Sequence, residues 1–274
     1  MASADLLVPE DIGQCDREWL CRRFLPSLAG GGTVTVPVFL RLLRECRPTD
    51  AVAMQRLGDR ERPVLVVGPL RGHTDVARTL ALAAARNPLL CVVFLGDYVD
   101  GGRHSVEALS IALATRLALG ADRVAVLRGR HEQLFPMPQK LTGAHEGRLD
   151  NDIRWRAVRF VANERLAKGL PISGEEATAA EAELMGEMES AVRACFAAMP
   201  LAATVHSRFF CCAGGPTCGA LTLDAVENLS PTAEFGKPAA GPVNDLTCSE
   251  AADEDEDALL SKDGAYFARN IEMG

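Results

Sequence analysis

Four short loops carry the residues that could do chemistry, and each loop follows an apolar run of the chain. They read GPLRGH at 68–73, GDYVDGG at 96–102, RGRHE at 128–132 and AGG at 213–215. Asp97 and Asp100 stand three residues apart, and His131 stands beside a glutamate. Carboxylates and imidazoles hold divalent metal ions and move protons, whereas arginines bind phosphate in a bidentate manner. The loops therefore indicate metal, acid–base or phosphate chemistry.

The elements that precede these loops should bring them together. Short continuous apolar runs at 64–67, 90–95 and 124–127 predict strands that are buried on both faces. Alanine- and leucine-rich stretches at 74–86 and 104–119 predict helices between them. The alternation indicates an α/β core with parallel strands, in which the loops after the carboxyl ends of the strands meet at one edge.

The rest of the chain is predicted to be helical at first and mixed later. Apolar spacing predicts a helix over 10–25, and Pro37 fits the first turn of a second helix that begins near Thr35. The later elements are two helices and two strands, at 152–168, 175–199, 201–205 and 209–212. No repeat or linker divides the chain. We therefore expect one structural domain, in which an N-terminal helical segment (1–60) packs on a core domain (61–274).

The composition limits the class of protein. The chain has 274 residues, of which 48% are apolar, and a formal net charge of −8. This ordinary globular composition excludes a disordered chain, and the acidic balance disfavours nucleic acid and anionic membrane surfaces as partners. Nine cysteines without a Cys-x-x-Cys pair, and no signal peptide, favour a reducing compartment. We expect an intracellular protein, cytoplasmic or nuclear.

Three of the loops, with the strands before them, resemble a known family. The segments FLGDYVDGG at 94–102, LRGRHE at 127–132 and FFCCAGG at 209–215 are similar to signatures of the serine/threonine phosphoprotein phosphatases. In these calcineurin-like metallophosphoesterases the loops read GDxHG, GDYVDRG, RGNHE and HGG. The resemblance covers roughly residues 35 to 250 and implies an α/β fold of mixed β-sheets flanked by helices.

The resemblance also implies a metal centre, and here the sequence departs from the family. The family holds two metal ions with Asp, His and Asn ligands, and these ions activate a water for attack on a phosphate ester. At the matching positions Asp97 is retained, but Pro69, Arg71, Arg130 and Ala213 replace the other ligands. Arginine is always charged and cannot donate a lone pair to a metal. We therefore expect no cofactor, and a Mn, Fe or Zn dimetal centre only in an atypical active form.

Two further family positions are retained. His131 matches the proton donor to the leaving group, and Asp100 matches the carboxylate that orients it. The phosphate-clamping arginine is Gly101, and Arg103 stands two residues away from that position. The resemblance thus implies a catalytically inactive phosphatase-like protein. The alternative is a divergent phosphatase that hydrolyses phosphoserine or phosphothreonine through Asp97, Asp100 and His131.

The two arginines at former ligand positions have two interpretations. In the first, Arg71 and Arg130 pair with Asp97 and Asp100 and fill the former metal site, since these carboxylates need a compensating charge. In the second, the same arginines bind a phosphate or a phosphorylated residue together with His131 or His73, without cleaving it. The sequence leaves both interpretations open.

The last part of the family pattern has no counterpart in the sequence. In the family this part supplies a further histidine ligand, a second phosphate-binding arginine and the closing strands of a sheet. We therefore expect the C-terminal strands to be missing or divergent, which would expose a sheet edge. A protein partner that covers this edge is expected, with the chain acting as a scaffold, a regulatory subunit or a phosphate-reading subunit, and a phosphoprotein is a further expected partner.

Overall fold

The structure is a computed structural model. It describes residues 6–7, 17–29, 31–47, 51–58, 62–75, 79, 82–83, 86–87, 89–136, 147–215, 222–232, 235–236 and 241–249.

The described elements alternate between strands and helices along the chain. The strands are β1 (Leu6–Leu7), β2 (Thr33–Val34), β3 (Met54–Leu57), β4 (Val64–Val67), β5 (Cys91–Phe94), β6 (Val124–Val126), β7 (Ala202–Val205) and β8 (Phe209–Cys212). The helix α1 consists of α-helical Arg17–Trp19, π-helical Leu20–Phe24 and α-helical Leu25–Ala29. The other helices are α2 (Val36–Glu45), α3 (Ser105–Leu119), α4 (Arg130–Gln133), α5 (Leu149–Ala167), α6 (Glu175–Ala198), α7 (Leu223–Glu227) and α8 (Pro242–Cys248).

The predicted parallel sheet is present, in the order β4-β5-β6. Every residue of β5 and β6 is buried, as their continuous apolar runs predict. The prediction that all three strands are buried on both faces is wrong for β4, where Val66 is 50% exposed. The reason is position, because among the described residues β4 pairs only with β5 and so lies at an edge of this sheet.

A second sheet packs against the first. Its order is β3-β7-β8, with β3 parallel to β7 and β7 antiparallel to β8. The two sheets share a core of small and aliphatic side chains: Leu57, Val93, Ala125, Leu127, Ala203 and Val205. The loops that follow β4, β5 and β6 lie at the carboxyl edge of the first sheet, as expected for parallel strands.

The helices cover the other face of the first sheet. The helix α3 is buried along almost its whole length, and α1, α2, α5 and α6 pack in the same core cluster. An ion network joins these layers, since Arg156 on α5 contacts Glu107 on α3 at 2.7 Å and the Val34 carbonyl at 2.6 Å. Arg156 also binds Asp152 at 2.7 Å, so each charge of this buried network has a partner.

Most element predictions are confirmed. The helix α2 carries Pro37 in its first turn, and α5, α6, β7 and β8 lie within two or three residues of their predicted bounds. In the predicted helix 74–86 Thr74 is not helical, whereas the other described residues are: Asp75, Thr79, Leu82, Ala83 and Arg86. The N-terminal part of the predicted helix 10–25 lies outside the described residues.

The division into an N-terminal segment and a core domain stays a prediction. In the structure α1 and α2 pack against α3, and β3 pairs with β7 in the second sheet. No helix in the described parts of the chain is long and apolar enough to cross a membrane. The intracellular location also stays a prediction.

Candidate functional site

The first three loops are joined by backbone contacts. The carbonyl of Asp97 accepts hydrogen bonds from the N–H groups of Leu70 (3.0 Å) and Arg71 (2.7 Å), which ties the loop after β4 to the loop after β5. Gly96 has φ +114°, and a Cβ atom there would collide with the backbone of Gly129. Only glycine fits this close approach, so the loops after β5 and β6 lie in contact.

Glu132 organises the backbone between these loops. Its side chain is fully buried, and its carboxylate accepts hydrogen bonds from the N–H groups of Asp97 (2.7 Å), Tyr98 (2.8 Å) and Gly129 (3.0 Å). Burial, with the nearby charge of Asp97, raises the pKa of Glu132 to about 7. The positive charge of His131 and the N–H donors oppose that shift. No motif in the sequence predicts this role of Glu132.

His131 and Asp100 form the buried pair that the resemblance implies. The His131 Nδ1 atom lies 3.2 Å from an Asp100 carboxylate oxygen, and the other oxygen accepts the N–H of Leu149 at 2.7 Å. Burial alone would lower the pKa of His131, but the hydrogen bond to Asp100 and the charges of Asp97 and Glu132 together raise it. The pair therefore favours a protonated imidazolium, which is able to donate a proton.

Asp97 faces an arginine and a backbone donor. One of its carboxylate oxygens accepts the His131 N–H at 3.0 Å, and the other lies 3.8 Å from the Arg71 guanidinium. Both Asp97 and Arg71 have positive φ angles, 54° and 44°. The Arg71 side chain is 48% exposed, so its ion pair with Asp97 is loose and open to solvent.

Gly101 stands where the family has its phosphate-binding arginine, and atoms of Arg71 fill the space next to it. A Cβ atom at Gly101 would lie 2.9 Å from the Arg71 carbonyl and 3.0 Å from its Cβ atom. A side chain at residue 101 therefore requires the first loop to move. Arg103 is exposed on the same loop.

The remaining predicted site residues surround this centre. Arg130 begins α4 and is partly buried, with a bonding partner of its own, whereas His73 is exposed at the end of the first loop. Ala213 precedes Gly214, whose N–H donates to the Leu246 carbonyl of α8 at 2.8 Å. Since α8 also packs against α4, the fourth loop reaches the site through α8.

Cys248, at the end of α8, packs against the fourth loop, since a Cβ atom at Gly214 would lie 3.0 Å from the Cys248 backbone nitrogen. No motif in the sequence indicates this position. Burial raises the pKa of Cys248 to about 11, so the thiol stays protonated near neutral pH. A protonated thiol is a poor nucleophile, and this cysteine does not support covalent catalysis.

The donor set does not fit the dimetal centre that the family implies. A divalent metal requires oxygen or imidazole donors, but Asp97 faces the permanent charge of Arg71. Neither Pro69 nor Ala213 carries a donor in its side chain. Within the described ranges, no group of three or more His, Cys, Asp or Glu side chains is arranged to hold a metal ion.

Comparisons with known proteins identify the family. The model of the calcineurin-like phosphoesterases matches residues 63–266, and the chain belongs to that family. A solved protein serine/threonine phosphatase from Saccharomyces cerevisiae, described as similar to human phosphatase PP5, has a similar fold with a TM-score of 0.57. The two chains are 17% identical, and the match covers 84% of this chain and 62% of that chain. The predicted family and fold class are thus confirmed, and this chain spans less than two thirds of that phosphatase.

Proposed function

We propose that the chain is a catalytically inactive phosphoesterase that binds phosphorylated protein and acts as a scaffold or regulatory subunit. The observation that carries this proposal is the position of Arg71, whose guanidinium lies 3.8 Å from the Asp97 carboxylate. A metal ion at Asp97 would be repelled by this fixed positive charge. Hydrolysis by the family mechanism needs such an ion to activate the attacking water.

The same arginine supports recognition of phosphate. Arg71 is 48% exposed and its partner lies beyond hydrogen-bond distance, so a phosphate is able to compete for its N–H groups. The His131–Asp100 pair lies beside the same loops, and the hydrogen bond to Asp100 raises the pKa of His131. A phosphate would therefore meet the Arg71 guanidinium at the edge of the sheet, without a metal-activated water to attack it.

A titration with a fluorescent phosphoserine peptide tests phosphate recognition. The natural protein is expected to bind the peptide more tightly than its serine counterpart, and Arg71→Ala is expected to weaken binding at least about tenfold. The matched control is Arg22→Ala, because Arg22 lies on α1 with its side chain 78% exposed and far along the chain from the loops. Equal binding of the two peptides, or binding unchanged in Arg71→Ala, would contradict phosphate recognition.

A second candidate function is a divergent active phosphatase. The buried His131–Asp100 pair favours it, because a positioned proton donor to a leaving group is retained at 3.2 Å from its carboxylate. This candidate requires an atypical metal site that includes Asp97. Turnover of a phosphoserine peptide with added Mn²⁺ that is lost in His131→Ala would establish it over the inactive form.

The edge of the second sheet supports a protein partner. Among the described residues β8 pairs only with β7, and Phe209 on β8 is 63% exposed. An exposed edge with an aromatic side chain is able to add a strand from another protein. Size-exclusion chromatography of a native extract tests this, since the protein should elute above its 29.3 kDa mass and Phe209→Lys should shift it towards that mass. Elution of the natural protein as a monomer would contradict a stable partner.

A further inference from the structure

Large apolar side chains are concentrated on the exposed side of α5 and in the loop after it. Eleven large hydrophobic side chains are exposed among the described residues, and five of them fall between positions 155 and 172. They are Trp155, Val158, Leu166, Leu170 and Ile172, with exposed fractions from 40% to 69%. Exposed apolar patches mark interaction sites, and this concentration makes the region a candidate for one.

Helical geometry places part of this set on one face. Trp155, Val158, Arg159, Ala162 and Leu166 follow the spacing of three, four, seven and eleven residues that defines one side of a helix. We call this face the α5 stripe. The opposite side of α5 is buried in the core, so the stripe faces away from the protein interior.

Local contacts hold the stripe and its end in place. The Arg159 guanidinium lies over the Trp155 ring, 4.6 Å from its centroid. The helix ends in a left-handed residue, Gly169 (φ +68°), and the N–H of Leu170 donates to the Arg165 carbonyl at 2.8 Å. A surface ordered before binding loses less conformational entropy on association.

Two exposed arginines of α5 carry positive charge, Arg159 on the stripe and Arg154 beside it. Arg154 and Arg159 form no ion pair with any residue that the structure describes. The neighbouring basic residues do form ion pairs: Arg148 with Asp150, Arg165 with Glu176 and Lys168 with Glu164. Charge complementarity therefore selects an acidic ligand for this face.

We propose that the α5 stripe binds an acidic amphipathic helix of a partner protein. Aliphatic side chains of that helix cover Trp155 and Leu166, and its carboxylates pair with Arg154 and Arg159. An anionic membrane fits less well, because α6 packs along α5 and carries several exposed carboxylates: Glu175, Glu176, Glu183 and Glu187. These carboxylates and the net charge of −8 oppose approach of an extended anionic surface, whereas a single helix about 10 Å wide covers a smaller area.

A peptide-display selection tests this proposal with the full chain. The probe is a library of random peptides of helical length, selected on the natural protein and counter-selected on the Trp155→Ala/Arg159→Glu variant. The recovered peptides are expected to combine Asp or Glu with Leu, Ile or Phe at helical spacing. In fluorescence anisotropy each single variant should weaken their binding at least about tenfold, as truncation of a central aromatic or arginine side chain does.

Matched controls separate the stripe from general surface effects. Leu223→Ala on α7 (49% exposed) and Arg23→Glu on α1 change exposed residues elsewhere and should leave peptide binding unchanged. Since Trp155 is exposed, its variant should unfold at the temperature of the natural protein. No enriched acidic peptide, equal binding by Trp155→Ala, or Trp155-dependent binding to phosphatidylserine vesicles in place of peptides would overturn the proposal.

Discussion

Glu132 determines the shape of the site at the scale of single residues. Three backbone N–H groups, from Asp97, Tyr98 and Gly129, donate to its buried carboxylate. In Glu132→Gln the amide NH₂ group would face at least one of these donors and leave it unsatisfied. We expect the variant to lose about 1–3 kcal/mol in the free energy of unfolding, measured by urea denaturation.

Glu176→Gln is the matched control for that substitution. The Glu176 side chain is 85% exposed and pairs with Arg165 at the surface. Surface ion pairs contribute little, so this variant should stay within about 0.5 kcal/mol of the natural protein. An equal loss in both variants would show that the backbone contacts of Glu132 do not matter.

His131 makes a pH-dependent contribution to stability. Its pKa is raised in the folded protein above the ordinary value of 6.5. A group with a raised folded-state pKa stabilises below its unfolded pKa, and this stabilisation is lost as the pH rises through the folded pKa. The free energy of unfolding lost in His131→Asn should therefore be larger at about pH 5.5 than at about pH 8.5. A loss that is equal at both pH values, or larger at the higher one, would contradict the favoured imidazolium.

A variant that carries the family's metal-ligating side chains tests whether the residues now at those positions exclude metal ions. The four changes are Pro69→Asp, Arg71→His, Arg130→Asn and Ala213→His. This variant should retain Mn²⁺ after dialysis, because it replaces two fixed positive charges and two side chains without donors by metal ligands. Metal analysis measures the content, with circular dichroism to confirm folding. Equal Mn²⁺ content in the natural protein would show that the arginines do not exclude the ion.

Close packing between loops can be tested at the scale of elements. A Cβ atom at Gly96 would collide with Gly129, and Gly96 has φ +114°. Gly96→Ala should therefore lower the free energy of unfolding by more than about 2 kcal/mol. Gly186 on α6 has open space around it, so Gly186→Ala should raise stability by about 0.5–1 kcal/mol through helix propensity. The same sign for both substitutions in thermal or urea unfolding would contradict the contact between the loops.

The strands that the sequence predicts are those with their own apolar pattern. The runs that form β5 and β6 are continuous and buried, and they lie where predicted. The strand β3 reads MQRL and has no such run, because its place is decided by parallel pairing with β7, far away in the chain. Val66 on β4 is exposed because β4 lies at an edge of the described sheet. The pattern of apolar residues in the sequence does not indicate that position.

The site, too, could be predicted from the sequence only in part. Side-chain types and family positions indicate Asp97, Asp100 and His131, and the structure places the latter two in contact. The role of Glu132 depends on backbone N–H groups, which every residue except proline has. No pattern of side chains therefore indicates it. Cys248 reaches the site through packing of α8 on α4, a contact between distant segments.

The whole molecule combines a two-sheet core with three separate surfaces. The loop edge of the first sheet carries Arg71 and the His131–Asp100 pair, the second sheet presents β8, and the helical side presents the α5 stripe. We propose that a protein with such an edge and two apolar surfaces holds a phosphorylated protein beside another partner. The net charge of −8 disfavours nucleic acid as that partner, which stays a prediction.

Release of inorganic phosphate tests the central claim most directly. The natural protein is mixed with Mn²⁺ and a phosphoserine peptide that it binds, and free phosphate is measured over time. The His131→Ala variant is measured in parallel under the same conditions. We expect the peptide to bind through Arg71 and no phosphate to be released above the His131→Ala background. Phosphate release by the natural protein that is lost in His131→Ala would contradict an inactive phosphoesterase.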